Sequence, residues 1–411
     1  MMILLMKEGA VSMSNTVSAS APPSIAPNRA GGKLALLSWA HFLNDGSANY
    51  LPGILPAILI ASHEPIAAAG TLMAALLIGQ ALQPFTGILS DRVGGRNVFI
   101  IGLAGSSLGG ALLGFTHSVW LLVLFLFMIG VGNALFHPQA LAIVRSVVKQ
   151  NQQGLSLSGF LVGGEFGRGV FPMLTSWIVV SLGLPYLWLM AIPTIITVPF
   201  LYRHAPSLPI RRDAAPRVHW RSHMTPLLFL VGFAGLRSLM TYGVVTYMPV
   251  LWHESGGTLV IGASIITTVL VVGIIGNLVG GHLADRYGRR PVLIFSSLLS
   301  AALLPLMTTT TGPLLWLFAG MLGITLFSSA PVTVLIGQDT FPENRSLGSG
   351  IALGLANGIG ALLVFASGQL VRGVGIDGIL WGIALCGGIA TLLAVFMPRK
   401  MTARTGATAA H

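Results

Sequence analysis

Twelve long apolar segments follow one another along the chain, and only short polar stretches separate them. A helix needs about 20 apolar residues to cross the hydrocarbon layer of a bilayer. A segment inside lipid must satisfy its backbone N–H and C=O groups internally, so each segment is predicted to be a helix. The segments lie roughly at 33–60, 67–89, 97–116, 118–146, 153–182, 185–203, 225–252, 259–283, 291–309, 312–339, 346–370 and 375–397.

The scarcity of charge excludes most soluble classes of protein. Only 8% of the residues are charged and 54% are hydrophobic, whereas an ordinary soluble domain is about 25% charged. So few charges could not cover a soluble fold, which excludes a soluble enzyme, a disordered protein and a nucleic-acid-binding module. The strands of a membrane barrel alternate in polarity, and these segments do not, so we predict an all-α membrane protein.

The basic residues indicate how the chain lies in the membrane. Nearly all of the 22 Lys and Arg fall on one side of the bilayer when both termini are placed in the cytoplasm. The positive-inside rule therefore predicts this orientation in a bacterial-type inner membrane, and it accounts for the net charge of +11 without a nucleic-acid partner. The predicted parts are a disordered cytoplasmic tail at 1–32, six-helix bundles at 33–203 and 225–398, a cytoplasmic linker at 204–224 and a tail at 399–411.

One loop pattern occurs in both halves of the chain, between the second and third helices of each half. The matching positions are Gly87, Asp91, Arg92 and Arg96 in the first copy, and Gly281, Asp285, Arg286 and Arg290 in the second, where Arg289 also belongs to the pattern. The repeat predicts two homologous six-helix bundles of the same orientation. Halves related by an axis along the membrane normal are a transporter architecture.

These loops resemble the G-x-x-x-D-R/K-x-G-R-R signature of the major facilitator superfamily. The second copy matches fully, and the first has Gly95 where the signature has Arg. The resemblance implies the major facilitator fold and a secondary transporter that works by alternating access, as a single chain by the superfamily's default. It also implies a latch, in which the Asp caps a neighbouring helix and the Arg pairs across the two halves. The alternative interpretation is that these Arg residues only anchor the loops at the inner leaflet.

The first half also resembles the fosmidomycin-resistance-type exporters of this superfamily. The matching residues in predicted helices 1 and 4 are His41, Asn44, Asp45, Phe136, His137 and Pro138, which fit H-x-x-N-D and F-H-P motifs. Those relatives carry Glu after F-H-P, whereas this chain has Gln139. If that Glu helps to carry protons in the relatives, its role is absent or moved here.

Charges near the middle of predicted helices are the most informative feature of the interior. Asp45, Glu165 and Arg237 lie at such positions in helices 1, 5 and 7, where a charge costs about 3 kcal/mol on insertion scales. A carboxylate buried at low dielectric can take up a proton near neutral pH. The polar stripe of His41, Asn44 and Asp45 is therefore either a proton or substrate site, or a hydrogen-bonded contact between helices.

The other interior candidates allow similar pairs of interpretations. His137 is either a proton relay or a packing residue beside the helix bend at Pro138. Glu165 and Arg168 are spaced to form an ion pair on one helix, which is either a structural pair or one that opens when substrate binds or Glu165 takes up a proton. Arg237 has no acidic neighbour on its own helix, so we expect it to pair with Asp45 or Glu165 or to bind a carboxylate or phosphonate. Two tyrosines of the same helix, Tyr242 and Tyr247, are expected to line the cavity.

The leading hypothesis is proton-coupled antiport that exports small anionic or amphiphilic compounds such as fosmidomycin. The alternative on the same fold is a proton-coupled importer of an organic anion or metabolite. A membrane-embedded enzyme or receptor is a third class, which the absence of H-E-x-x-H and G-x-S-x-G motifs argues against. No cofactor besides the proton gradient and no metal is expected, and no phosphate-binding G-x-x-x-x-G-K-S/T loop is present.

The latch hypothesis predicts the effect of one substitution. Asp91→Asn should impair transport without reducing the amount of protein in the membrane, because it removes the helix-capping charge and leaves the apolar segments intact. Transport assays at matched expression test this. Transport at the wild-type rate would contradict the gating role of the loop.

Overall fold

The computed structural model describes residues 27–93, 95–148, 153–207, 218 and 220–402. Within these ranges the chain is helical and contains no β-strand. The helices are numbered 1 to 12 in chain order below. The described part leaves out 1–26, 208–217 and 403–411, so the predicted bounds of the tails, the linker and the two bundles stay predictions.

The first half contains six helical stretches. Helix 1 is Pro27–Ser47 continued by Tyr50–Ala61, helix 2 is Ala68–Ala81 continued by Gln83–Val93, and helix 3 is Gly95–Leu112. Helix 4 is Val119–Val147, helix 5 is Gln153–Leu182, and helix 6 is a 3-10 segment, Leu184–Ala191, continued by Ile192–His204.

The second half also contains six helices. Helix 7 is Trp220–Glu254, helix 8 is Leu259–Tyr287, helix 9 is Arg289–Thr309, and helix 10 is Pro313–Ser328 continued by Ala330–Thr340. A last continuous stretch runs from Arg345–Gly350 through a π-helical turn, Ile351–Leu355, into Ala356–Phe396. Gly375, at φ 72° and ψ 172°, interrupts it and separates helix 11 from helix 12.

The prediction of an all-α membrane protein with twelve helices in two halves is confirmed. Nine stretches of the described chain are long and apolar enough to cross a membrane, and one of them, Leu347–Phe396, contains both helices 11 and 12. The turn between helices 8 and 9 needs a glycine. Gly288 has a φ of 92° there, in the left-handed region that side chains disfavour.

Glycines hold the helices close together where they cross, as is usual between membrane helices. A Cβ atom built on Gly79 of helix 2 would lie only 2.8 Å from the Cα of Gly130 on helix 4. The same holds between the two halves, where a Cβ on Gly70 of helix 2 would lie 2.5 Å from the Val364 carbonyl oxygen on helix 11. The two halves are therefore packed backbone to backbone along helices 2 and 11.

An apolar groove runs over this same seam between the halves. It has a volume of about 510 Å³. The described residues that line it include no charged side chain, and among them are the exposed residues Trp120, Leu124 and Leu362. The groove is suited to lipid contact and is separate from the interior charges described below.

The close crossing of helices 8 and 10 predicts a stability difference between two glycines. Gly276→Ala should destabilise the protein by about 1–3 kcal/mol, because the new methyl group would overlap the Ile324 backbone carbonyl. Gly388→Ala is the matched control, because a Cβ built there meets no atom within 4 Å. Thermal unfolding in detergent compares the two, and equal melting temperatures would contradict the packing argument.

Candidate functional site

The centre of the candidate site is Asp45, on the last turns of the first segment of helix 1. Its side chain is 3% exposed, so it is almost completely removed from solvent. The helix bends just beyond it, where Asn49 donates a hydrogen bond from Nδ2 to the Asp45 backbone oxygen at 2.8 Å. The bend and the carboxylate are thus fixed by the same short segment.

The carboxylate of Asp45 accepts hydrogen bonds from amide groups on two helices. Asn44 Nδ2 and Asn133 Nδ2, from helices 1 and 4, each lie 3.1 Å from Oδ1. Arg168 of helix 5 adds a guanidinium nitrogen 3.6 Å from Oδ2. A buried carboxylate needs donors of this kind in place of the water it has lost.

Two histidines complete the surroundings of Asp45. His41 Nε2 lies 3.3 Å from Oδ2, and His137 Nε2 lies 3.2 Å from Oδ1. The sequence placed these residues on different helices, and the structure brings them together. The three helices that meet here are 1, 4 and 5, all from the first half.

A bend at Pro138, which another helix stabilises, positions His137. Pro138 has no N–H, so the carbonyl of Ala134 one turn earlier loses its helical partner. Thr86 of helix 2 donates a 2.6 Å hydrogen bond to that carbonyl. The helix therefore keeps its backbone satisfied while His137 and Asn133 face Asp45.

Helix 5 supplies the second carboxylate and the position of the His41 ring. Arg168 Nη1 lies 3.3 Å from Glu165 Oε2, which is the ion pair expected from their spacing. The His41 ring stacks on Phe160 at 4.2 Å between centroids. A Cβ on Gly164 would overlap the same ring, so this glycine makes room for it.

The cluster is only partly removed from solvent. The side chains of His137, Glu165 and Arg168 are 19%, 23% and 27% exposed. In contrast, the second segment of helix 1, which follows Asp45, is buried along most of its length from Tyr50 to Leu59, and it packs on helices 7 and 8 of the other half.

Arg237 of helix 7 is an interior charge whose expected partner is not found. Among the described residues it forms no ion pair within 4.0 Å, so the predicted pairing with Asp45 or Glu165 does not occur. Its Nε atom is buried without a hydrogen-bond partner. It is near enough to Arg168 and Glu165 for their charges to interact.

The two tyrosines of helix 7 have different surroundings. Tyr242 lies near the charged side chains of the site. Its hydroxyl is 3.5 Å from Gln80 Oε1 on helix 2, so this contact joins the two halves. Tyr247 is fully buried, and its hydroxyl lies 3.1 Å from the Val364 oxygen and 3.0 Å from Ser367 Oγ within the second half. Tyr247 is therefore a packing residue of helices 7 and 11.

Two further residues of helix 4, Gln139 and Asn133, differ in whether the sequence analysis predicted them as site residues. Gln139 is buried, two residues after His137. Asn133 was not among the predicted site residues, although it donates directly to Asp45. The signal was present in the sequence, since Asn133 precedes His137 by four residues and so lies on the same helix face.

The repeated loops are only partly described. The side chains of Asp91 and Arg92 lie outside the described residues, so the latch of the first copy stays a prediction. Gly87 faces Pro138, since a Cβ built on it would lie 3.7 Å from the Pro138 Cβ. Arg96 stacks on the Tyr202 ring at 4.8 Å, which is a contact within the first half.

The second copy of the loop holds the end of its own half. Arg289 lies 2.7 Å from Asp339 Oδ2 at the end of helix 10 and also donates to the Met401 oxygen, while Arg290 donates to the Met397 oxygen. The expected pairing across the halves is therefore not the arrangement of Arg289 and Arg290 in this structure.

The remaining positions of the second copy lie at the surface. Asp285 and Arg286 are exposed, and the Arg286 guanidinium lies over the Tyr287 ring at 5.3 Å from its centroid. A Cβ built on Gly281 meets no atom within 4 Å. These three positions therefore leave the turn between helices 8 and 9 accessible to solvent.

Three curated proteins are similar to the chain over most of its length. An uncharacterized MFS-type transporter of Bacillus subtilis, YfnC, is 27% identical over 90% of this chain and 94% of its own length. A probable 4-methylmuconolactone transporter of Cupriavidus pinatubonensis is 28% identical, with 79% of both chains covered. A fosmidomycin resistance protein of Escherichia coli is 23% identical over 89% of this chain and 93% of its own length.

The fold is also that of a solved transporter. A bacterial homolog of the human lysosomal transporter Spinster, in an inward-facing and unoccupied conformation, superposes with a TM-score of 0.76. The match covers 93% of this chain and 100% of that one at 15% identity. At this identity the likeness establishes the fold and nothing about the substrate.

The contact between Gly164 and His41 predicts a functional difference within helix 5. Gly164→Ala should displace the His41 ring from Asp45 at a cost of about 1–3 kcal/mol and impair transport. Gly159→Ala, five residues earlier on the same helix, meets no atom within 4 Å and should leave transport unchanged. The test is the transport rate of the two variants at matched expression. Equal rates would contradict a role for the position of the His41 ring.

The profile of the Major Facilitator Superfamily matches residues 37–267 and 238–410 of the chain. Together the two matches cover nearly all of the helical region. The expected transporter class and fold are thereby confirmed, and an enzyme is excluded. The chain is a multi-pass membrane transporter that belongs to the Major Facilitator Superfamily.

Proposed function

We propose that the chain is a proton-coupled transporter of small organic anions in a bacterial-type inner membrane, with both termini in the cytoplasm. One observation carries the proposal. The first half supplies a buried carboxylate with two histidines, and the second half supplies a guanidinium, Arg237, that has no acidic partner within the described part of the chain. The first group suits a proton, and the second suits an anion.

The proton site is the cluster of Asp45, His41 and His137. Three titratable groups lie within 3.4 Å of one another, and the side chains of Asp45 and His41 are only 3% exposed. Histidine is the side chain that most readily changes its charge near neutral pH. An intramembrane cluster of this kind is typical of the proton relays of pumps and transporters.

The anion site lies between Arg237 and Arg168, with Tyr242 beside them. Arg237 is partly buried, and a guanidinium removed from water without a counter-charge is costly. A carboxylate or phosphonate would supply both the charge and two acceptor oxygens. The two arginines come from opposite halves. An anion bound to both would therefore be sensitive to the relative movement of the halves, as alternating access requires.

Arg168 is the proposed connection between the two sites. It is shared by Asp45 at 3.6 Å and Glu165 at 3.3 Å. A proton added to the Asp45 cluster weakens the hold of that cluster on the guanidinium. Arg168 then becomes available to the anion, so the occupancy of one site changes the affinity of the other.

Export in exchange for protons is the first mode of operation. The likeness to a fosmidomycin resistance protein supports it. In this mode a proton enters from outside and must weaken the binding of the anion, which is the opposite of the coupling described for Arg168. Fosmidomycin-like phosphonates are the first compounds to test.

Import together with protons is the second mode, and the charge balance supports it. Asp45, Glu165, Arg168 and Arg237 sum to zero charge when the imidazoles are neutral. An added proton leaves one positive charge, which an anion neutralises, so each ligand favours the binding of the other. The likeness to a probable 4-methylmuconolactone transporter agrees with a small organic cargo.

Proteoliposomes that contain a lumenal pH dye test the proposal and separate the two modes. Fosmidomycin or benzoate is added outside, without an imposed pH gradient. Uptake of the anion with protons should acidify the lumen, whereas exchange for protons should make it alkaline. If none of a panel of organic anions moves protons in either direction, the proposal is wrong.

Arg237→Ala is the variant that tests the anion site. Loss of hydrogen bonds to a charged group costs about 1.5–3 kcal/mol, which corresponds to an anion affinity about tenfold to a hundredfold weaker. Arg221→Ala is the control on the same helix, since Arg221 is exposed at the start of helix 7. Equal apparent affinities for the two variants would place the anion elsewhere.

A further inference from the structure

The two histidines of the Asp45 cluster face each other through the same ring atom. His41 Nε2 and His137 Nε2 are 3.4 Å apart. Each of these nitrogens also lies within 3.3 Å of an oxygen of Asp45. Four potential acceptor atoms thus converge in a small buried volume.

The opposite nitrogen of each ring fixes where the ring hydrogen must be. His41 Nδ1 lies 2.8 Å from the backbone oxygen of Phe160, and His137 Nδ1 lies 2.9 Å from that of Asn133. A carbonyl oxygen can only accept, so each Nδ1 must carry a hydrogen and donate it. In a neutral imidazole the Nε2 atom is then an unprotonated acceptor.

If both imidazole rings were neutral, no hydrogen would lie between the two Nε2 atoms or between them and the Asp45 oxygens. Two bare Nε2 atoms would face each other and an ionised carboxylate, which is unfavourable in a buried site. One added proton allows an Nε2–H···Nε2 bond between the rings. A second added proton allows each imidazolium to donate to its own oxygen of Asp45.

Besides the two histidines, Asp45 has three neighbours that present N–H groups to it. Asn44 and Asn133 present amide N–H groups to Oδ1 at 3.1 Å, and Arg168 presents its guanidinium to Oδ2 at 3.6 Å. Hydrogen bonds of this kind stabilise the ionised form of a carboxylate. A proton on Asp45 would remove the negative charge that these donors stabilise, whereas a proton on an imidazole leaves that charge in place.

We propose that the proton carried by this transporter is held on the Nε2 atoms of His41 and His137, while Asp45 stays ionised as their counter-ion. The inference rests on the proposed function, because it names the atoms that perform the proton coupling. It differs from the sequence-based expectation, in which Asp45 or Glu165 takes up the proton. It also gives both histidines a role that goes beyond orienting Asp45.

The charges on neighbouring helices determine when the proton is held. Asp45 on helix 1 and Glu165 on helix 5 favour an imidazolium, whereas Arg168 on helix 5 and Arg237 on helix 7 oppose it. Tyr242, also on helix 7, is a neutral phenol near the two histidines. Protonation of the histidines and the contact of Arg168 with Asp45 therefore compete, so the proton releases Arg168 towards Glu165 or the anion.

Nuclear magnetic resonance of the full-length protein in nanodiscs tests the inference without a substrate. Histidine rings are labelled with 15N and aspartate carboxyls with 13C, and the spectra are followed over a pH titration. The through-space cross peak between two imidazoles assigns the pair, because His41 and His137 are the only histidines in ring contact among the described residues. Loss of the Asp45 signal in Asp45→Asn assigns the carboxyl.

The expected result is that Nε2 signals of this pair change from bare to protonated as the pH falls, while the Asp45 carboxyl stays ionised over the same range. The inference is overturned if both Nε2 atoms stay bare while the Asp45 carboxyl takes up the proton. Spectra in which neither group titrates between pH 5 and pH 9, roughly the range around the ordinary histidine value, would also overturn it.

Transport measurements separate this inference from the proposed function. The double variant His41→Gln, His137→Gln should move the anion without protons, whereas His282→Gln, at an exposed position on helix 8, should keep the wild-type proton movement. Proton movement that persists in the double variant overturns the inference and leaves the proposed function intact. If the wild type moves no protons with any anion, the proposed function fails, and the titration of the histidine pair still decides the inference.

Discussion

A carboxylate that is kept away from water inside a membrane protein must be satisfied by the protein itself, and Asp45 imposes this requirement on three helices. Helix 1 supplies Asn44, helix 4 supplies Asn133 and helix 5 supplies Arg168 as donors. The bend at Pro138 and the small residue Gly164 allow these groups and the two histidines to converge. The arrangement of these helices in the first half thus compensates the desolvation of one buried charge.

The architecture could be predicted from the sequence because a bilayer leaves few choices. Length and hydropathy specify the helices, and the repeated loops specify the two equal halves. The bends inside helices are less accessible to this reasoning. Gly375 could be anticipated as a break between two apolar segments, but the π-helical turn at Ile351–Leu355 has no comparable signal.

The sequence predicted which residues of the candidate site share a face of one helix, but not which helix faces meet. Asp45, His137 and Arg168 could be recognised as interior polar residues, and the Glu165–Arg168 pair followed from helical spacing. Periodicity assigns a residue to a face of its own helix but does not say which faces meet. For this reason Asn133 was missed. Arg237 was expected either to pair with a carboxylate or to bind an anion, and the first alternative is not found among the described residues. Tyr247 was expected in the cavity, whereas it packs between helices 7 and 11.

The central claim is that the ion pair between Asp45 and Arg168 controls how tightly an anion is held. A double-mutant cycle with Asp45→Asn and Arg168→Met tests it, with the affinity of a transported anion as the measured quantity. The account predicts that Asp45→Asn raises the affinity in the wild-type background and has no such effect once Arg168 is replaced. Additive effects of the two substitutions would contradict the account, because they would mean that the two side chains act on the anion independently.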